Sequence, residues 1–342
     1  MSNVKKINLG LQGGGAHGAF AWGALDKILE DGRIEFDGVS ATSAGAMNAG
    51  VLAYGYATGG REGARKALES FWRRISEAGK KFSVTEITPL DHLYTKMGII
   101  DTPSFSAFET VSGALSPYQF NPTNFNPLHD VLAETIDFNV LKKQDKIKLR
   151  ICATNVNTGK VRVFKNEEMC IEALLASGCL PFLFQTVSIG DENFWDGGYM
   201  GNPALFPLIY DTNTSDILIV HINPIHREEV PKTAGGIRNR VNEISFNSSL
   251  MREMRSIAFI TDLIDKGWIK EEHKDKLKRV YIHSVRADDV MHDLGVASKL
   301  NSDWDFLLKL KELGREKAAK WLKDNFDKIG KQTTIDIKED YL

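Results

Sequence analysis

The chain has 342 residues, 42% hydrophobic and 26% charged, with 43 basic against 45 acidic side chains and a formal net charge of −2. That is an ordinary globular composition, long enough for one large α/β domain or a domain with an appendage, and it carries no basic excess that would favour nucleic acid. No apolar run approaches the roughly 18 residues of a membrane span. Cys152, Cys170 and Cys179 are odd in number and lack C-x-x-C spacing, so neither a disulfide framework nor a metal site is expected. With no charged-then-apolar leader ahead of the first apolar run, the expected compartment is the cytoplasm.

Ile7 to Leu11 reads as a first strand, the loop Gln12 to Gly18 follows, and Ala19 to Glu30 has helical spacing. Strand, glycine loop and helix open an α/β sheet. A second strand near Asp37 to Ser40 leads into Ala41-Thr42-Ser43-Ala44-Gly45, with helices expected over Ala44 to Tyr56 and Arg61 to Ser76. Residues 80–127 scatter Phe82, Tyr94, Phe105, Phe108, Tyr118, Phe120 and Phe125 among five prolines without a period, and read as a cap or an irregular insertion. A helix over Pro127 to Asp137, a hairpin of Ile147 to Asn155 with Val161 to Phe164, and a short helix from Glu168 to Ser177 come next. Asp216 to Ile222 is a strongly apolar strand. Arg238 to Lys266 is a long amphipathic helix, Arg279 to Val285 a last strand and Asp303 to Phe326 a final helix.

Two motifs carry chemistry. Ser43 stands among small residues between a strand and a helix, which is what a nucleophile on a tight turn needs; Ala41 takes the place of the first glycine of G-x-S-x-G, and Gly45 the second. Ser40, in Gly38-x-Ser40-x-Thr42, is the weaker candidate because Thr42 is β-branched. Gly13-Gly14-Gly15-Ala16-His17-Gly18 fits a dinucleotide fingerprint, with Asp37 at a suitable distance for a ribose. It fits equally an oxyanion hole, in which unobstructed backbone N–H groups of Gly13, Gly14 and Gly15 converge on one point. The pairing with a serine turn favours acyl transfer. For the base that Ser43 requires, Asp196 in Trp195-Asp196-Gly197-Gly198-Tyr199 is the best candidate, since two glycines permit a tight turn and the aromatics raise a carboxyl pKa. His17 and His221 are weighed as alternatives, and a triad on His221 is the minority reading.

With these pieces, Gly13 to Gly18, Ala41 to Gly45 and Asp196 to Gly198 in order, the chain resembles a patatin-like phospholipase. Ala153-Thr154-Asn155 and Ala176-Ser177-Gly178-Cys179-Leu180-Pro181 are secondary matches. The resemblance spans about residues 5–225 and departs at Ala41, and at His17 where an arginine or lysine is common. It implies a three-layer α/β/α domain with a mostly parallel sheet over 5–225, carrying 80–127 as a possible cap, and a mainly helical C-terminal extension over 237–342. It also implies a Ser43–Asp196 dyad without histidine, metal or cofactor, acting on carboxylic esters of phospholipids or lysophospholipids. Gly18, Ala41, Gly45, Gly197 and Gly198 support the motifs. The expected partners are a lipid substrate and transient contact with membrane or lipid-body surfaces, with no nucleic acid. The alternatives are hydrolysis of another hydrophobic ester (a polyester or thioester) and a non-catalytic lipid- or nucleotide-binding protein.

Overall fold

From Ile7 to Leu11 every residue of strand β1 (Lys5–Leu11) is buried, as expected of a strand covered on both faces. A computed structural model describes residues 4–82, 88–96, 102–292, 294–295 and 297–342. After a 3₁₀ turn at Gly15–His17 comes α1 (Gly18–Asp31), closed by Gly32 in the left-handed region at φ 77°. β2 (Ile34–Thr42) is followed by α2 (Ala44–Phe82), where the two helices expected over 44–76 run together and are broken only at Gly59 and Gly60.

The insertion corrects the sequence reading. Residues 83–87 and 97–101 of the expected cap lie outside the described residues, but most of the rest is short helices, α3 (Pro89–Lys96), α4 (Pro103–Ala114) and α5 (Pro117–Phe120), with an irregular stretch at 121–126. Proline opens each of them, and opens α6 (Pro127–Thr135) as well. At the first helical position its missing N–H costs nothing and its fixed φ suits the helix, so prolines that suggest loops mark helix starts here. Asp137 belongs to no preceding helix; it caps α7 (Phe138–Lys143) by accepting from Asn139 N at 2.9 Å.

β3 (Lys148–Asn155), β4 (Val161–Phe164), α8 (Ile171–Ser177), β5 (Val187–Ile189) and β6 (Glu192–Asp196) follow, then α9 (Phe206–Asp211) and β7 (Asp216–Val220). Beyond them lie α10 (Ala234–Asp265), β8 (Tyr281–Val285), α11 (Asp288–Met291), α12 (Trp304–Asn325) and α13 (Ile337–Tyr341). The sheet pairs β5-β6-β3-β2-β1-β7-β8, with β4 also on β3; the pairs β3/β2, β2/β1, β1/β7 and β7/β8 are parallel.

β7 shows how the layers form. Leu218 and Val220 point into the main core with Phe20, Leu52 and Leu322, whereas Ile217 and Ile219 point into a second core with Leu208, Leu250 and Met254. Alternate residues face opposite sides of a strand, so both faces of the sheet are covered by helices. The result is a three-layer α/β/α fold. The C-terminal region is part of it: β8 extends the sheet beyond β7, and α12 lies along α1 so closely that a Cβ on Gly23 or Gly314 would strike the facing helix backbone.

Candidate active site

β2 lies along one edge of β3, from Gly38 opposite Lys148 to Thr42 opposite Cys152. β4 takes the other edge, from Ile151 to Thr154. Ala153 and Thr154 therefore have only the first edge left for β6, which pairs Asp196 and Trp195 with them in the antiparallel sense. β2 and β6 thus run toward one another along a single edge and stop tip to tip. Ser43 follows the end of one, and Asp196 ends the other.

Ser43 sits at φ 55°, a left-handed conformation that few residues other than glycine adopt, as a strained strand-to-helix turn requires. Its neighbours are small because backbones meet there. A Cβ on Gly13 would lie 2.6 Å from Ser43 Cβ, one on Gly18 would lie 2.8 Å from Ala44 Cβ, and one on Gly45 would lie 2.6 Å from the Gln12 carbonyl oxygen. Ala41 is a buried strand residue between Leu11 and Ile151 with no positive φ, so no glycine is needed there. Ser177 braces the turn: its hydroxyl accepts from Ser43 N–H at 2.9 Å and donates to the Cys152 carbonyl at 2.6 Å. Ser40, by contrast, is buried and donates to the Ala204 carbonyl.

Asp196 is fully buried. Its Oδ1 accepts from Gly198 N–H at 2.7 Å, while Oδ2 has no hydrogen-bond partner. Burial pushes the carboxyl up to about 6, opposed by the Gly198 amide, the nearby Ser43 hydroxyl and the charge of Lys299. The Ser43 hydroxyl is close enough to bear on the carboxyl but forms no hydrogen bond of standard geometry with it; such contacts often tighten only once substrate is bound. Gly197 has to be glycine because a side chain there would run into the Cys152 carbonyl, and Gly198 lies against the Phe246 ring.

The glycine loop departs from expectation at Gly13. Its N–H donates to Asn202 Oδ1 at 2.7 Å, so Gly13 makes room for Ser43 and is not a free donor. Gly14 and Gly15 open a 3₁₀ turn, whose first N–H groups have no partner within the turn. Behind the loop, Asn223 Nδ2 donates to the Gly13 carbonyl at 2.8 Å, and Gln12 Nε2 donates to the Asn202 carbonyl and to Asn247 Oδ1. None of these asparagines sits in a motif, so sequence reasoning passed over them.

The other candidates fall away. His17 is buried, held below the usual imidazole range at about 3 by desolvation and then by Lys299, and bonded through Nε2 to Ser298 Oγ at 2.7 Å. His221 is likewise buried, lowered to about 3 by desolvation and then Arg286, and meets the Tyr341 hydroxyl at 2.7 Å. Neither forms a hydrogen bond with Ser43. Asp37 lies within β2, well before its C-terminal end, where Oδ2 accepts from Asn213 and Thr214 amides at 2.8 and 3.2 Å; a carboxylate so used is unavailable to a ribose. Among the described residues no cluster of His, Cys, Asp and Glu is arranged to hold a metal, and no helix is long and apolar enough to cross a membrane.

The structure is similar to VipD from Legionella pneumophila at 17% identity and a TM-score of 0.41, covering 94% of this chain and 67% of that one. It is also similar to the heterodimeric ExoU–SpcU complex of the Pseudomonas aeruginosa type III secretion system, at 16% identity and a TM-score of 0.38, covering 94% of this chain and about half (52%) of that one. No curated protein sequence matches the chain. The patatin-like phospholipase family model matches residues 9–209, a span that holds the glycine loop, the Ser43 turn and Asp196-Gly197-Gly198, and by that match the chain belongs to this family of lipid hydrolases.

Proposed function

We propose that the protein is a serine acyl hydrolase that cleaves carboxylic esters of phospholipids or lysophospholipids with Ser43 and Asp196. The observation that carries this reading is the tip-to-tip meeting of β2 and β6, which sets a serine on a strained turn before a buried carboxylate with one unpartnered oxygen. Ser43 Oγ attacks the ester carbonyl carbon and its proton passes to Asp196 Oδ2. The oxygen charge that develops is met by the Gly14 and Gly15 amides, each donor of this kind being worth about 3 kcal/mol of barrier. Asp196 returns the proton to the leaving alcohol. It then takes a proton from the water that opens the acyl-enzyme, and Ser43 recovers it as the tetrahedral adduct collapses.

A carboxyl held at about 6 is matched to this work, since it is ionised at neutral pH yet basic enough to take a proton in the transition state. The pH dependence of kcat/KM should therefore lose a factor of ten per pH unit below about 6. An apolar rim supports a lipid substrate. Phe182 is 67% exposed on the loop that follows Gly178, where an added Cβ would lie 3.8 Å from Ser43 Oγ. Gln185 Nε2 donates to the Asn121 carbonyl, and Thr186 N–H to the Tyr118 hydroxyl, bringing the exposed Tyr118 to this loop. Such a rim suits transient contact with a lipid surface. The test is fluorophosphonate labelling and hydrolysis of phospholipid and lysophospholipid by wild type and Ser43→Ala. Label on Ser43 and loss of hydrolysis in the variant are expected; wild-type hydrolysis by Ser43→Ala sinks the reading.

A further inference from the structure

The 3₁₀ turn Ala297–Leu300 lies far from both motifs in sequence but touches the glycine loop twice. Ser298 Oγ meets His17 Nε2, and because the same hydroxyl donates to the Gly295 carbonyl at 2.8 Å, it is His17 that donates to Ser298. The Lys299 carbonyl presses on Gly15, leaving no room there for a Cβ. From this turn the Lys299 side chain reaches inward. Its Nζ donates to Asn223 Oδ1 at 3.0 Å and to Asn242 Oδ1 at 2.9 Å.

Both acceptors are neutral amides, and one of them, Asn223, holds the Gly13 carbonyl. The ammonium also lies 5.8 Å from the centre of the Phe246 ring, whose edge covers Gly198, the residue whose amide binds Asp196 Oδ1. Three links therefore tie this one cation to the site: to Gly13 through Asn223, to Gly15 through its own carbonyl, and to the Asp196 turn through Phe246.

The surrounding charges leave Asp196 as the carboxylate it serves. Burial lowers Lys299 to about 8, so it is charged throughout the acid limb; the fields of Glu243 and Asp196 favour that charge, with Arg227 opposing. Glu243 is already held by a bidentate Arg227 and by Arg240 at 3.1 Å, so two guanidinium groups outweigh it. Asp196 is faced by Ser43, Lys299, Cys179 and Tyr199, of which Lys299 is the cation. His17 is buried and neutral and supplies no charge.

We propose that Lys299 is a positioning residue for the hydrolysis, its buried ammonium, held by Asn223 and Asn242, favouring ionised Asp196 and keeping the Gly13–Gly15 loop in place. This rests on the Ser43–Asp196 reading. The sign follows from the charges: a neutral residue at 299 makes ionisation of Asp196 harder, so the carboxyl stays protonated to higher pH.

The experiment measures kcat/KM from pH 5 to 9 on a short-chain p-nitrophenyl ester, for wild type, Lys299→Met, Lys299→Arg and Ser43→Ala, each checked for cooperative melting. In Lys299→Met the acid limb should move up by about one pH unit, so that at pH 6 activity drops about fivefold beyond any pH-independent loss. Lys299→Arg should restore the limb. If Lys299→Met does not fold, Lys299→Gln, which can still donate to the asparagines, is held to the same outcome. A neutral variant whose limb coincides with that of wild type overturns the role of Lys299 while inactive Ser43→Ala leaves the dyad standing. Full activity in Ser43→Ala overturns both.

Discussion

Asp196→Asn should cost activity and add stability, and the size of the gain is set by pH. In the folded protein burial raises the carboxyl from 3.8 to about 6. Below 3.8 the group is protonated whether the chain is folded or not, and its titration contributes nothing. As pH climbs, the unfolded chain ionises first and the folded one resists, so stability is lost until the folded group has ionised as well. At 1.36 kcal/mol per pH unit that loss grows to about 3 kcal/mol above pH 7. Asparagine has no proton to lose. Its Oδ1 can keep the Gly198 N–H, and whatever its amide costs beside Ser43 does not vary with pH. The informative quantity is therefore the stability of Asp196→Asn minus that of wild type, measured by urea unfolding at pH 4 and at pH 8. It should rise by about 2 to 3 kcal/mol between the two, while ester hydrolysis disappears. A difference that stays flat with pH would refute the reasoning, because Asp196 would then have the same proton affinity in the folded and unfolded states.

Ser177→Ala removes both the acceptor of the Ser43 amide and the donor to Cys152, at a position with no exposure, and should destabilise the protein by about 1 to 3 kcal/mol in denaturant unfolding. Because the turn then loses its brace, kcat should fall roughly 10- to 100-fold with little change in KM; a variant with normal kcat would show that the turn holds itself. A chain ended at residue 230 lacks β8, α10 and α12, which exposes the β7 edge and the face of α1 that packs on α12. It should be recovered as aggregate in size-exclusion chromatography, and a monomeric, active 1–230 would show that the C-terminal region is dispensable.

The sequence made the site legible where close packing forbids a side chain. Gly13, Gly45 and Gly197 each lie against Ser43, the end of β1 or the Cys152 carbonyl, and that crowding is what the two glycine patterns record. Asp196 was legible through the same glycines. What escaped was everything contributed by tertiary contact alone. The Asn202 side chain that takes the Gly13 amide, and Lys299 behind Asn223, follow no local spacing. Pro103 and Pro117 were misread because one residue type serves both loops and first helical turns, and only the preceding caps, Thr102 and Ser116, distinguish them. β8 was found as a strand, but its seat beside β7 depends on how the sheet closes, on which an apolar run is silent.

The shared edge of β3 works as a ruler. Thr42 is indexed to Cys152 and Asp196 to Ala153, so the residue before the proposed nucleophile and the proposed base stand a single residue step of one strand apart, about 3.3 Å. Twisting or breathing of the sheet carries both side chains together and leaves that gap unchanged. Only a slide of one strand along β3 alters it, and each strand is pinned against sliding: Thr154 Oγ1 donates to the Asp196 carbonyl at 2.8 Å, and Ser177 ties the Ser43 amide to Cys152. A pair drawn from opposite halves of the chain thereby acquires the rigidity of two neighbours on one backbone.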